Sequence, residues 1–151
     1  MSGRRERLPA TISIDSGVVL AYLLGEGQVG GLVRSEILTR GSRAVYCPGT
    51  AIAELFYILS RRRGEAFALE AVEALLGSGH VQVASSTRLD IEAGRYEYTR
   101  SVSLADCYVL ALAKLLGTAA VFARREEDLG REVAERRFDV DIIFLEDLAK
   151  G

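Results

Sequence analysis

The chain contains no asparagine and no tryptophan, one methionine and two glutamines, and His80 is its only histidine. One histidine and two cysteines, Cys47 and Cys107, with no CxxC spacing, exclude a zinc centre built from nitrogen and sulfur ligands. Each cysteine is embedded in apolar sequence, the pattern of a buried free thiol in a reducing cytosol, so a cytoplasmic location is expected. No apolar run approaches the roughly 18 residues of a membrane span. The basic start, residues 1–9, is followed by no secretory core and reads as a flexible arm. Few thermolabile side chains beside abundant Arg and Glu point to a thermophilic source.

What is present suits one globular domain over residues 10–151. The chain's 151 residues are 49% hydrophobic and 26% charged, which excludes a mainly disordered polymer. A net charge of -2 argues against a protein that coats nucleic acid generally. It leaves room for local basic patches at Arg61-Arg62-Arg63, Arg124-Arg125 and Arg136-Arg137.

Periodicity divides the chain into alternating elements. Strands are expected at Thr11–Ile14, Arg43–Cys47, His80–Ala84, Ala119–Ala123 and Val140–Leu145. Helices are expected over Val18–Leu24 (capped by Ser16), Val29–Thr39, Pro48 to about Arg63, Glu65–Leu76, Thr87–Thr99, Leu104–Leu116 and Glu126–Arg137. The order β-α-α-β-α-α-β-α-α-β-α-β calls for an α/β fold, a parallel five-stranded sheet covered by helices on both faces. In such sheets ligands bind beyond the carboxyl ends of the strands, where the strand order switches.

Against this pattern, three acids stand in apolar surroundings. Asp15 ends the run Thr11–Ile14, Glu54 is the only charge in Ala51–Leu59, and Asp106 interrupts Val102–Leu110. A carboxylate taken out of water must be paired, hydrogen-bonded or metal-bound. Asp15 lies at the end of the first strand, and Glu54 and Asp106 fall early in helices, so all can face one edge of the sheet. Each has a purely structural alternative: a helix cap for Asp15, a buried arginine pair for Glu54, and for Asp106 a capping box with Ser103. Several carboxylates without histidine suit a hard divalent cation, Mg²⁺ or Mn²⁺. Gly25-Glu26-Gly27-Gln28-Val29-Gly30 matches G-x-G-x-x-G, but a helix rather than a strand precedes it. A glycine-rich turn between helices explains it better than a dinucleotide site.

Three segments carry a family resemblance: Ile14-Asp15-Ser16-Gly17-Val18-Val19-Leu20, Ala53-Glu54-Leu55, and Ser103-Leu104-Ala105-Asp106-Cys107-Tyr108. They resemble the three acidic motifs of PIN-domain ribonucleases, in particular the VapC-like toxins of toxin–antitoxin pairs, in the right order along nearly the whole chain. The resemblance implies a three-layer α/β/α sandwich and an endoribonuclease that uses Mg²⁺ or Mn²⁺, with Asp15, Glu54 and Asp106 as its metal-binding carboxylates. It also implies a homodimer and an antitoxin partner, for which Val18–Leu24 and the helices around Glu54–Leu76 are candidate surfaces.

The family's fourth motif, T-x-D-x-D-F, is irregular here: Ala123-Arg124-Arg125-Glu126-Glu127-Asp128-Leu129. Setting Leu129 on the terminal aromatic position makes Glu126 and Asp128 its acids. Arg124 and Arg125 then either contact RNA phosphate or are solvated charges at a helix start. Ser16 either binds a ligand water or phosphate or caps the helix, and Tyr96 and Tyr98 either stack on bases or pack. The irregular fourth motif also motivates an alternative, a PIN-like module that binds RNA or protein without cutting.

Overall fold

A computed structural model describes residues 8–25, 27–39 and 43–149. Most of the expected arm lies outside these residues. Of the part described, Leu8 is buried, and Arg43 donates to the carbonyls of Leu8 and Pro9 at 2.7 and 2.9 Å.

The elements run β1 (Thr11–Ile14), α1 (Ser16–Leu23), α2 (Gly27–Glu36), β2 (Ala44–Pro48), α3 (Gly49–Arg63), α4 (Glu65–Gly77), β3 (Gln82–Ala84), α5 (Thr87–Thr99), α6 (Leu104–Leu116), β4 (Ala119–Phe122), α7 (Glu127–Glu135), β5 (Ile142–Phe144) and α8 (Leu145–Ala149). All strand pairings are parallel, in the order β3-β2-β1-β4-β5. The chain moves outward from β1 through β2 to β3, then returns to lay β4 and β5 on the other side. The switch in strand order therefore falls between β1 and β4.

Residues alternate between two cores, making three layers. Ile12, Ile14, Val45, Cys47 and Val121 pack against α1, α2, α3 and α4, with Leu145 of α8 in the same cluster. Ala120, Phe122 and Phe144 turn the other way, against α5, α6 and α7. Ser13, wholly buried between Ile12 and Ile14, is satisfied by donating to the Val109 carbonyl of α6 at 2.9 Å.

Local signals account for the element ends. Gly117 closes α6 at φ 66°, a left-handed cap that any side chain would strain. Gly25 and Gly27, at φ 64° and 56°, lie where α1 gives way to α2, and residues 27–30 of the G-x-G-x-x-G segment are the first residues of α2 rather than a strand-to-helix phosphate loop. Gly30 lets the two helices touch: a Cβ there would stand 2.6 Å from the Ala21 carbonyl oxygen.

Some expectations are corrected. The helix cap is Asp15, whose carboxylate accepts from Val18 N at 3.1 Å, and Ser16 is the first helical residue rather than the cap. Val18–Leu24 is largely core, with Val18, Val19, Leu20 and Ala21 buried, so an apolar run expected to meet a partner instead meets the sheet. Exposed apolar side chains lie on α3 and α4 instead, at Tyr57, Phe67, Leu69 and Leu76. The packing reading of Tyr96, by contrast, holds: it is buried and donates its hydroxyl to Asp139. The short helix α8 was hidden in what read as the end of the last strand. Cys47 and Cys107 are buried free thiols as expected, and burial pushes both up to about 12.

Candidate active site

The switch point collects the acids. Asp15 leaves the end of β1, where its N–H donates to Val121 O of β4 at 3.3 Å. Glu54 projects from α3, which follows β2, and Asp106 from the first turn of α6. The segment after β4 contributes Glu126 and Asp128. Four separate elements thus place carboxylates near one another at the carboxyl edge of the sheet.

Their electrostatics record that closeness. Asp15 is raised from an ordinary 3.8 to about 8, by burial first and then by the charge of Asp106, with Glu126 and Glu54 adding; the hydrogen bond from Val18 works against the rise. Asp106 is raised to about 6, by burial and then by Glu126, with Glu54 and Asp128 adding. The strongest influences on both are burial and acidic neighbours, the combination that gathers at functional sites.

Each structural alternative is resolved differently. The capping box at α6 is real in its serine half: Asp106 N donates to Ser103 Oγ at 3.3 Å. Asp106 nonetheless couples to the other acids, so capping and clustering coexist. Asp15 likewise caps α1 while its charge is felt across the cluster. Glu54 is half-buried, and its hydrogen-bond partner is the Ser16 hydroxyl rather than an arginine. Glu126 precedes α7 with no side-chain capping bond.

Arg125 is exposed, and its guanidinium meets Asp147 at 2.6 Å and lies 4.5 Å over the Phe144 ring. Arg61 and Arg63 lie over Tyr57 and Phe67 at the end of α3, where cations also suit the helix dipole.

Sequence reasoning passed over two features. A Cβ on Gly17 would sit 3.1 Å from Asp15 Oδ2 and 3.4 Å from Oδ1, so this glycine keeps the approach to the carboxylate open. Thr50, one turn before Glu54 on α3, has a buried hydroxyl oxygen with no hydrogen-bond partner. Neither residue type signals chemistry in a sequence.

The donor set fits a hard cation. It is all oxygen, mutually repelling and partly withdrawn from water, which is where Mg²⁺ or Mn²⁺ binds through carboxylates. Among the described residues no three side chains are drawn together into a closed metal cage.

A three-layer α/β/α sandwich with an acidic cluster at its switch point defines the class. The PIN domain family model matches residues 12–134, and the chain belongs to that family. Its fold is similar to that of solved VapC proteins. VapC20 of Mycobacterium tuberculosis, a Sarcin-Ricin loop cleaving toxin, aligns with a TM-score of 0.63 at 20% identity, covering 80% of this chain and 93% of that one. DNA-bound VapBC from Salmonella typhimurium aligns at 0.64 and 14% identity, over 91% and 99%. VapBC-1 from Haemophilus influenzae aligns at 0.62 and 14%, over 90% and 98%. No curated protein matches the chain.

Proposed function

We propose that the chain is a divalent-metal-dependent endoribonuclease and the toxin of a toxin–antitoxin pair. The observation that carries this reading is the coupling of Asp15, Glu54, Asp106 and Glu126 at the β1/β4 switch point, with Asp15 and Asp106 both raised.

Asp15 and Asp106 would hold Mg²⁺ or Mn²⁺, with Glu54 and Asp128 completing the site. Such an ion, when bound, supplies a water acidified toward neutrality and offsets negative charge growing on the phosphodiester. Glu54, oriented by the Ser16 hydroxyl, accepts the proton of the attacking water. The water oxygen bonds to phosphorus, the bond from phosphorus to the leaving sugar oxygen breaks, and that oxygen takes up a proton. Glu126 adds negative charge that strengthens the hold on the cation. Arg124 and Arg125, both exposed after β4, are the basic residues this reading assigns to RNA phosphate.

The solved structures of similar fold include VapBC complexes, which supports an antitoxin partner here. The exposed apolar side chains of α3 and α4 are the surface offered to that partner or to a second copy in a homodimer. A binding module that does not cut RNA is the second reading, motivated by the irregular fourth motif at residues 123–129.

The deciding experiment incubates purified protein with a panel of structured and single-stranded RNAs, with Mn²⁺ or with EDTA. Cleavage that requires Mn²⁺ and vanishes in Asp15→Asn, with RNA binding retained, supports the nuclease. Binding without cleavage across the panel supports the module.

A further inference from the structure

The loop that carries Glu126 is held from behind by α8. Glu146 N donates to the Ala123 carbonyl at 3.1 Å, at the end of β4. Arg125 N donates in return to Glu146 Oε1 at 2.8 Å. The Arg125 guanidinium donates to Asp147 Oδ2 at 2.6 Å and rests on the Phe144 ring. Main chain and side chain of Arg125 are thus both restrained by consecutive acids of one short helix. The next residue is Glu126, which has no capping bond of its own and whose charge is felt by both Asp15 and Asp106. Its place relative to them is inherited from Arg125.

An exposed ion pair alone stabilises little. Here the pair is one of four contacts, and two of the others join backbone atoms of the loop to α8, so their shared effect is geometric. Arg125 sits where the family's fourth motif is irregular.

We infer that Glu146 and Asp147 are positioning residues that fix the β4–α7 loop and thereby present Glu126 to the carboxylate cluster. The inference rests on the proposed metal-dependent reading of that cluster. It goes beyond that reading by assigning a role to acids that lie outside the cluster.

The test is calorimetric titration of the purified full chain with Mn²⁺, for wild type, Glu146→Ala, Glu146→Gln, Asp147→Asn and Asp15→Asn, with thermal melts as a folding control. Glu146→Ala is expected to weaken Mn²⁺ binding about tenfold, the scale on which residues that orient metal ligands act. Glu146→Gln, whose amide oxygen still accepts from Arg125 N, stays within about twofold of wild type on the same scale. Asp147→Asn, which disturbs only the guanidinium contact, weakens binding by a smaller factor and keeps the fold should Glu146→Ala fail to melt cooperatively.

Wild-type affinity in both Glu146→Ala and Asp147→Asn overturns the inference. So does a Glu146→Gln protein as weak as Glu146→Ala, because charge rather than position would then be the cause. Asp15→Asn separates the two readings: unchanged Mn²⁺ binding in that variant overturns the metal site itself, whatever the Glu146 variants do.

Discussion

The hydroxyl of Ser16 donates to a carboxylate oxygen of Glu54, joining the first turn of α1 to α3 across 38 positions of sequence. The contact ties the residue beside Asp15 to the acid assigned as base. Ser16→Ala is expected to leave the fold intact and lower the rate of RNA cleavage about tenfold, the effect of about 1.4 kcal/mol, which is typical for a hydrogen bond to a charged group. The loss should fall on kcat with KM little changed, read from initial rates at saturating Mn²⁺.

The raised carboxyls give stability a definite pH dependence. Asp15 at about 8 and Asp106 at about 6 bind protons more tightly when folded than their ordinary 3.8 allows when unfolded. The unfavourable contribution of these groups is nil below about pH 4 and grows as pH rises to about 8. In EDTA, Asp15→Asn should therefore be more stable than wild type at pH 8 by about 1–3 kcal/mol, with the gap closing near pH 4. Asparagine keeps an oxygen that can cap α1, so the cap survives. Saturating Mn²⁺ should reverse the ranking at pH 8, as seen in thermal melts run with and without the ion.

Arg100 and Glu132 form a nearly buried ion pair at 2.9 Å, each side chain 9% exposed. The same guanidinium donates to the carbonyls of Arg136 and Arg137 and lies 3.5 Å over the Phe138 ring. Removing one partner strands the other charge, so Arg100→Ala should cost about 3–5 kcal/mol. Arg100→Lys should recover only part, since an ammonium cannot span both carbonyls and the carboxylate. The Arg100 hydrogen bond lowers the Glu132 carboxyl below its ordinary 4.5, so the pair's contribution is full above that pH and fades as acid protonates it. Urea midpoints at pH 7 and pH 4 report both effects.

Gly30→Ala should destabilise by about 1–3 kcal/mol, the usual range for overpacking. The obstacle is the backbone oxygen of Ala21 at 2.6 Å, which cannot swing aside as a side chain would. Gly31→Ala is the control, since a Cβ there meets nothing within 4 Å. A shift in urea midpoint for the first and not the second is the expected outcome.

Much of this was legible from local chemistry. Thr11–Ile14, Thr87–Thr99 and Leu104–Leu116 read correctly at both ends because β-branched alternation, the caps Ser86 and Ser103, and Gly117 act within a few residues. The acids at 15, 54 and 106 stood out because charge in an apolar run is anomalous wherever the chain goes. The choice of cap at α1 was not legible: Asp15 and Ser16 are both competent, and a side chain 38 residues away decides between them. The strand order was equally beyond local signals, and so were the contacts of α8. Its five residues make little more than one turn, and Leu145 continues the apolar run of the strand before it.

The hold of α8 on Arg125 bears on timing. The carboxylates span residues 15 to 128, and the helix inferred to steady Glu126 follows at 145–149. During translation every acid of the cluster leaves the ribosome before the element that settles Glu126. A nascent chain stopped short of α8 would carry all the acids and an unbraced loop, so Glu126 gains its hold only once residues 145–149 have been made.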